Sequence, residues 1–355
     1  MVGLLDRYVG VQVIAGTMLA LALLLAVFSF IDFIEDLDSV GQGSYTVGGA
    51  IEHSLLTMPT RAFALFPPAA LIGTLLGLGV LAANRELVAM RAAGVSQQRI
   101  ALSVMKSGAI LVIFAVILGE LVSPNTEQIA QSKRNDAMSK EQALRTAYGF
   151  WVRDKNSFIN IRNISKNDDL ENVYIYEFDS QRRLRTSTHA KRASHSGENW
   201  LLMDIVQSEV SKAGVRPREL ARAQWKSRLL PDLVTTVVVK PESLSIWGLV
   251  KYIQYLQENG LAASRFEVAL LNKFVFPLAT AVMIYLAVAI IMARNSPLAI
   301  GQRIVIGALV GIGFHIAHNT SIRLGLVYEL SPLVTALVPT IIFASSALML
   351  MRRSM

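Results

Sequence analysis

An uninterrupted apolar segment lies near the start of the chain: Val9–Ile31 reads VGVQVIAGTMLALALLLAVFSFI and contains no ionisable side chain. A helix needs about 20 such residues to cross the hydrocarbon core of a bilayer. The segment is longer than the roughly 7–15-residue core of a secretory signal, and no small-residue cleavage site follows it before the acidic stretch Asp32–Asp38. The pattern therefore predicts a retained membrane-spanning helix.

Five further apolar segments have a comparable length and character. They are Ala62–Ala83, Ile100–Val122, Val268–Met292, Val305–Ile322 and Leu333–Met351. The sequence thus predicts an α-helical membrane protein with six transmembrane helices in two groups of three (3+3), separated by a polar domain. The predicted division is residues 1–122, 123–267 and 268–355.

The composition agrees with this class. Of the 355 residues, 53% are hydrophobic and 17% are charged, and the formal net charge is +8. Soluble proteins have about 45–50% apolar and about 25% charged residues. The high apolar fraction excludes a disordered protein, and the dispersed basic residues predict no nucleic-acid partner. Cysteine is absent, which excludes thiol catalysis, iron–sulfur clusters and cysteine-type zinc sites.

Arginine is concentrated in the short loops on one side of the predicted spans. That side carries Arg7, Arg85, Arg91, Arg99, Arg294, Arg303, Arg352 and Arg353. The short loops of the other side carry only Arg61 and Arg323. Because cytoplasmic loops have an excess of Lys and Arg, both termini are predicted to be cytoplasmic and residues 123–267 to lie outside.

The outer segment has the alternating pattern of β-strands. Residues 158–162, 173–178, 200–206 and 235–239 alternate with a period of two between Asn, Asp and Gly turns, which predicts an antiparallel β domain. Apolar residues at helical spacing in Ser243–Gly260 predict a helix that precedes the fourth span.

Motifs for enzymatic chemistry are missing. The chain has no phosphate-binding G-x-x-x-x-G-K-[ST] loop, so it is not expected to hydrolyse ATP, and no metal site or bound cofactor is predicted. His315 and His318 are interpreted as a polar patch that faces another helix or a cavity. The acids Asp32–Asp38 are interpreted as a solvated helix end, with a general acid/base pair or a divalent-cation contact as alternatives.

Five cations lie in or near the outer ends of the spans. They are Arg61, Lys133, Arg134, Lys273 and Arg323. Charged side chains at membrane depth are costly and therefore informative. Two interpretations are open: the side chains reach out to the bilayer surface, or they line a cavity that accepts anionic headgroups.

The loop between the second and third spans predicts a short cytoplasmic helix over residues 84–94. Asn84 is the expected N-cap, Glu86 complements the helix dipole in the first turn, and Gly94 ends the helix. Leu87, Met90 and Arg91 are expected to face the cytoplasm, where this chain has no domain to cover them. A partner protein that docks on this helix explains the pattern.

Several short motifs occur in a characteristic order. They are LDRY at 5–8, GQGSY at 41–45, RELV at 85–88, ALSVMK at 101–106 and GQR at 301–303. In this order and spacing, the chain resembles the LptF/LptG permease family of the lipopolysaccharide export machine over nearly its whole length.

The resemblance implies a non-catalytic half-permease of the bacterial inner membrane with a β-jellyroll-like periplasmic domain. It would pair with an LptF-like permease subunit and an LptB-like ATPase dimer that uses ATP. Lipopolysaccharide would pass to an LptC-like periplasmic bridge protein. The family's ATPase-coupling helix maps onto residues 84–94, and its acidic contact residue maps onto Glu86. Leu87, Met90 and Arg91 are the further ATPase contacts expected from the pattern of this helix.

One departure bears on the substrate. Family members often carry lysines just before the GQGSY run, where this chain has Asp36, Leu37, Asp38 and Ser39. The five cations named above, or a divalent cation, are then expected to contact the phosphates. Two other functions stay open: a membrane-bound lipid-modifying enzyme that uses the carboxylates near Asp32–Asp38, and an ABC-coupled mechanical signal transmitter.

Overall fold

The computed structural model of the chain describes residues 3–354 apart from 146–149, 155, 165–168, 180, 182, 197–198, 212–213, 226–240 and 294–298. Six of the described helices are long and apolar enough to cross a membrane. Three of them precede an antiparallel sheet in the sequence and three follow it. This arrangement confirms the predicted fold class.

The helices differ in length from the predicted spans. In chain order they are α1 (Leu4–Leu37), α2 (Val47–Ala83), α3 (Glu86–Ala92), α4 (Gln97–Ile117), α5 (Ser123–Arg145), α6 (Ile246–Glu258), α7 (Ser264–Met292), α8 (Ile300–Val327) and α9 (Pro332–Ser354). A π-helical turn at Leu118–Val122 joins α4 to α5 without a break. The predicted domain boundary at residue 122 therefore lies inside a continuous helix.

α2 begins well before its predicted start at Ala62. The side chain of Thr46 accepts a hydrogen bond from the Gly49 N–H at 3.3 Å and caps the helix. The added turns are amphipathic, because Ala50 and His53 are buried whereas Ile51 is exposed. Capping rather than apolarity therefore determines where this helix begins.

α1 and α2 pack in direct backbone contact. A Cβ atom on Gly73 would lie 2.2 Å from the Cα of Thr17, and one on Gly77 would lie 2.5 Å from the Gln12 carbonyl oxygen. Glycines four residues apart allow membrane helices to approach this closely. The contact contributes to the central position of α2, whose most apolar window is 78% buried against 22% for that of α1.

The described strands form one open sheet in which chain neighbours pair antiparallel. They are β1 (Phe150–Asp154), β2 (Ser157–Ile164), β3 (Leu170–Phe178), β4 (Leu184–Ser196), β5 (Asn199–Ser211) and β6 (Gly214–Trp225). Three of the predicted strands lie within β2, β3 and β5, which confirms the antiparallel β domain. The predicted strand at 235–239 falls outside the described residues, as does Arg294.

A shared core attaches the sheet to the membrane helices. Ile159, Val173 and Trp200 of the sheet and Leu249 and Leu256 of α6 belong to one buried cluster. α6 lies within the predicted helix Ser243–Gly260 and is followed by α7, whose first turns contribute Ala269 to the same cluster. The position of the sheet is therefore tied to the start of the fourth span.

Candidate functional site

A cavity of about 560 Å³ lies between α2, α7 and α8, at the end of the spans that adjoins the sheet. Its apolar wall contains Phe63 and Pro68 of α2, Phe276 of α7 and Phe314 of α8. The rings of Phe63 and Phe276 meet edge to face, with centroids 5.5 Å apart. Such a wall suits hydrocarbon or the apolar face of a ring.

Three cations line the same cavity. Lys273 and Arg323, both predicted from the sequence, are brought together there with Arg265, which the sequence analysis did not single out. Arg265 and Arg323 are exposed, whereas Lys273 is 8% exposed. Glu242 is the one acid in this lining, so the three cations leave it with a net positive charge. An apolar wall with such a rim has the chemistry to hold an anionic amphiphile.

Histidines complete the polar lining, which confirms their interpretation as a patch that faces a cavity. Asn319 donates to Nε2 of His315 at 2.9 Å. His318 is 3% exposed, and both of its ring nitrogens lack a hydrogen-bond partner among the described residues. Its ring lies beside Phe276 and Phe314, at centroid distances of 5.0 and 5.7 Å. Because buried polar groups normally have partners, His318 offers an unused donor and acceptor to a ligand in the cavity.

The other three predicted cations are paired with acids of the chain itself. Arg61 forms an ion pair with Asp32, and Lys133 forms one with Glu52. Arg134 lies 3.2 Å from Asp36 and also donates to Ser39. The acids of α1 and α2 thus compensate cations that the sequence analysis assigned to lipid phosphates.

Asp36 corrects the expectation of a fully solvated helix end. It is 6% exposed and accepts a hydrogen bond from Nδ1 of His53 at 2.6 Å. Burial and the neighbouring Asp36 carboxylate raise the pKa of the Tyr45 hydroxyl above its ordinary value. Glu35 and Asp38 are exposed as expected. Among the described residues, no group of three or more His, Asp or Glu side chains is placed to hold a metal ion.

The predicted cytoplasmic helix is present as α3, and its Glu86 is held by two side chains. The Tyr8 hydroxyl of α1 donates to Glu86 Oε2 at 2.7 Å, and Asn84 Nδ2 donates to Oε1 at 3.2 Å. Arg85, rather than Asn84, is the N-cap and has a left-handed φ of 58°. Gly94 follows the helix with a φ of +87°, as expected of a helix-terminating glycine.

The orientation of α3 differs from the expected one. Leu87 is 6% exposed and packs in the cluster that also contains Leu81 and Ile100, so it does not face the cytoplasm. Met90 packs partly against the same cluster. The exposed apolar side chain is Val88, at 63% exposure, while Arg91 is exposed as predicted. Leu87 and Met90 were expected to face the cytoplasm, but residues of α2 and α4 cover the face of the helix on which they lie.

A buried carboxylate fixes the helices around α3. The Asp6 side chain of α1 is 1% exposed and accepts hydrogen bonds from Lys106 at 2.7 Å and from Ser103 at 2.5 Å. Arg99 lies 3.1 Å away from it. These contacts tie the start of α1 to α4, so that α1, α3 and α4 meet as one connected unit at the arginine-rich end.

Comparison with known proteins gives the family. The profile described as "Lipopolysaccharide export system permease LptF/LptG" matches residues 7–353. The chain belongs to the LptF/LptG permease family. It is 36% identical over 360 residues to the lipopolysaccharide export system permease protein LptG of Escherichia coli K12, covering 99% of both chains. It is 35% identical over 345 residues to LptG of Haemophilus influenzae, covering 97% of this chain and 96% of that protein.

Membership in the LptF/LptG family confirms several predictions at once. The chain is a multi-pass membrane protein and a permease component of lipopolysaccharide transport, and this subunit is not a catalytic enzyme. The carboxylates near Asp32–Asp38, which supported the enzyme alternative, are engaged at Asp32 and Asp36 by Arg61, Arg134 and His53.

Sequence reasoning missed two residues of the cavity. Arg265 stands in the first turn of α7 and was not among the cations that the sequence analysis selected. Asn272 lines the cavity one position before Lys273 and has a buried side-chain oxygen without a partner among the described residues. A search for every polar residue next to Lys273 in the fourth span would have found it.

Proposed function

We propose that this chain exports lipopolysaccharide as one half of a permease, and that the cavity between α2, α7 and α8 accepts part of the lipid. The observation that carries the proposal is the pairing of an aromatic wall with Arg265, Lys273 and Arg323 in one cavity. Lipopolysaccharide carries both phosphates and acyl chains. Moving one CH₂ group of an acyl chain into water costs about 0.8 kcal/mol. The aromatic wall of the cavity can shield acyl chains from water, and its cations can bind the phosphates.

The partners follow from what the chain lacks. Without a nucleotide-binding motif, the energy must come from a separate ATPase, which we propose to be an LptB-like dimer docked at α3. An LptF-like subunit would complete the permease, and an LptC-like bridge protein would receive the lipid from the β domain. The antiparallel sheet supports this transfer, because β1 and β6 are its edge strands among the described residues, and an edge strand can pair with a strand of another chain.

Occupancy of the cavity can be tested with a photocrosslinking residue at Ile322, which lines it. In living cells with the complete transporter, we expect ultraviolet light to trap lipopolysaccharide at this position. Arg323→Glu and Arg265→Glu should each lower the yield, because a carboxylate repels phosphate. Ile312, on the same helix and 56% exposed, is the matched control position. Equal yields at both positions, or crosslinks to phospholipid alone, would contradict the proposal.

We further propose that both termini lie in the cytoplasm of an inner-membrane protein and that the β domain is periplasmic. The arginine-rich loops support this orientation, since Arg7, Arg85, Arg91 and Arg99 all lie at the end where α1, α3 and α4 meet.

A cysteine scan tests the orientation without background, because the natural chain has no cysteine. Ala93 after α3 is exposed, and Val215 on β6 is 61% exposed. In cells with a permeabilised outer membrane, an impermeant thiol reagent should label Val215→Cys and should label Ala93→Cys only after lysis. The reverse pattern would invert the topology.

A further inference from the structure

The junction between the third span and the sheet is built on the π turn at Leu118–Val122. π-helical turns are rare in proteins, and those that do occur are often found at functional sites. Gly119 in this turn is pressed against α2, since a Cβ atom there would lie 2.4 Å from the Phe63 ring. The path of the chain at the turn is therefore fixed by α2, which also forms one wall of the cavity.

Glu120 connects this turn to the helix under the sheet. Its Oε1 accepts a hydrogen bond from the backbone N–H of Ile246, the first residue of α6, at 2.8 Å. The first amides of a helix have no acceptor within the helix, and Ser245 satisfies another of them by accepting from Gly248 at 3.2 Å. α6 packs against the sheet in one core. A displacement of Glu120 would therefore move the start of α6, and with it the helix that supports the sheet.

Lys273 holds the turn from the other side. Its Nζ donates to the Gly119 carbonyl oxygen at 2.9 Å and lies 4.0 Å from Glu120 Oε2. That carboxylate oxygen is buried and has no hydrogen-bond partner among the described residues. Lys273 also lines the cavity with Arg265 and Arg323. One ammonium group thus contacts both the junction and the space in which an anionic ligand would bind.

We propose that Lys273 and Glu120 are positioning residues that transmit occupancy of the cavity to the β domain. An ammonium group has three donors and prefers a phosphate to a neutral carbonyl. A phosphate-bearing lipid in the cavity therefore draws Lys273 away from Gly119 and Glu120. The π turn relaxes, Glu120 shifts with it, and the start of α6 moves under the sheet. The inference rests on the proposed function, because the ligand is the exported lipid.

Hydrogen–deuterium exchange of residues 244–258 reports on this step in the complete transporter purified in nanodiscs. Adding lipopolysaccharide should raise exchange in this segment of the wild type. Lys273→Met should lower crosslinking of lipid at Ile322, because a cavity cation is lost, and at equal crosslinking yield it should lack the lipid-dependent rise of the wild type. Glu120→Ala should exchange fast with and without lipid, because Ile246 loses its acceptor. Lys251→Met, on the exposed face of α6, is the matched control and should respond as the wild type does.

Two results would overturn the transmission role while the cavity assignment stands. One is a lipid-dependent rise that persists in Lys273→Met. The other is a wild type whose residues 244–258 do not respond although Ile322 crosslinks the lipid. If the wild type forms no crosslink at Ile322, the cavity assignment itself fails, and the transmission role is overturned with it. Glu120→Ala keeps the proposal testable should Lys273→Met fail to fold.

Discussion

Replacing Gly73 with leucine should prevent α1 and α2 from packing and should remove most of the folded protein from the membrane. The new Cβ atom would lie 2.2 Å from the Cα and 2.3 Å from the backbone nitrogen of Thr17. Overpacking a core usually costs about 1–3 kcal/mol because side chains can adjust. Here the opposing atoms are backbone, so the whole of α1 must move, and we expect a larger cost.

The measurement is the amount of membrane-inserted protein together with its thermal unfolding midpoint in detergent. Gly313→Leu is the matched control, since a Cβ at Gly313 in α8 would meet no atom within 4 Å. We expect the control to accumulate and unfold as the wild type does. Equal accumulation and equal midpoints for the two variants would show that the close approach of Gly73 does not determine packing.

The spans could be predicted because their physics is local. Only a helix satisfies its own backbone in a bilayer, so an apolar run such as Val9–Ile31 has a single structural solution. Their ends could not be predicted in the same way. The start of α2 is set by a cap at Thr46, and α4 continues into α5 past the polar residues after Val122.

The sheet was predicted in part, for a reason visible in its strands. β2, β3 and β5 alternate apolar and polar residues because one face packs on α6. β4 contains Ala190 and Ala193 as its only residues in that core cluster, and its other positions are largely polar, so its pattern is too weak to recognise. β6, at the edge of the sheet that the described strands form, contains Pro217, which an edge strand tolerates and which argues against a strand from sequence alone.

The candidate site was harder to predict, because partners distant in sequence decide what each cation does. Lys133 and Arg134 are neutralised by acids of α2 and α1, whereas Arg323 faces the cavity. Nothing in the local sequence distinguishes these cases. Leu87 was wrongly expected to face the cytoplasm for the same reason, since its cover comes from α2 and α4.

Replacing Glu86 with alanine should leave the spans folded but strongly lower lipid transfer. We propose that α3 couples the permease to the ATPase and that Glu86 of this helix contacts a cationic side chain of the ATPase. A hydrogen bond to a charged group contributes about 1.5–3 kcal/mol, so docking should weaken by about 10- to 150-fold. The measurements are ATPase retained on the purified permease and lipopolysaccharide transferred to the bridge protein per ATP. Glu219→Ala, on exposed β6, is the matched control.

Tyr8 allows the docking role of Glu86 to be separated from its role within the chain. Tyr8→Phe removes the 2.7 Å hydrogen bond to Glu86 but leaves the carboxylate free to meet a partner. If Glu86 contacts the ATPase, Glu86→Ala should reduce ATPase retention far more than Tyr8→Phe does. If Glu86 serves only to hold α3 against α1, the two variants should be equally impaired and the double variant no worse than either. Equal losses would therefore contradict the coupling assignment and make Glu86 a packing residue of the cytoplasmic end.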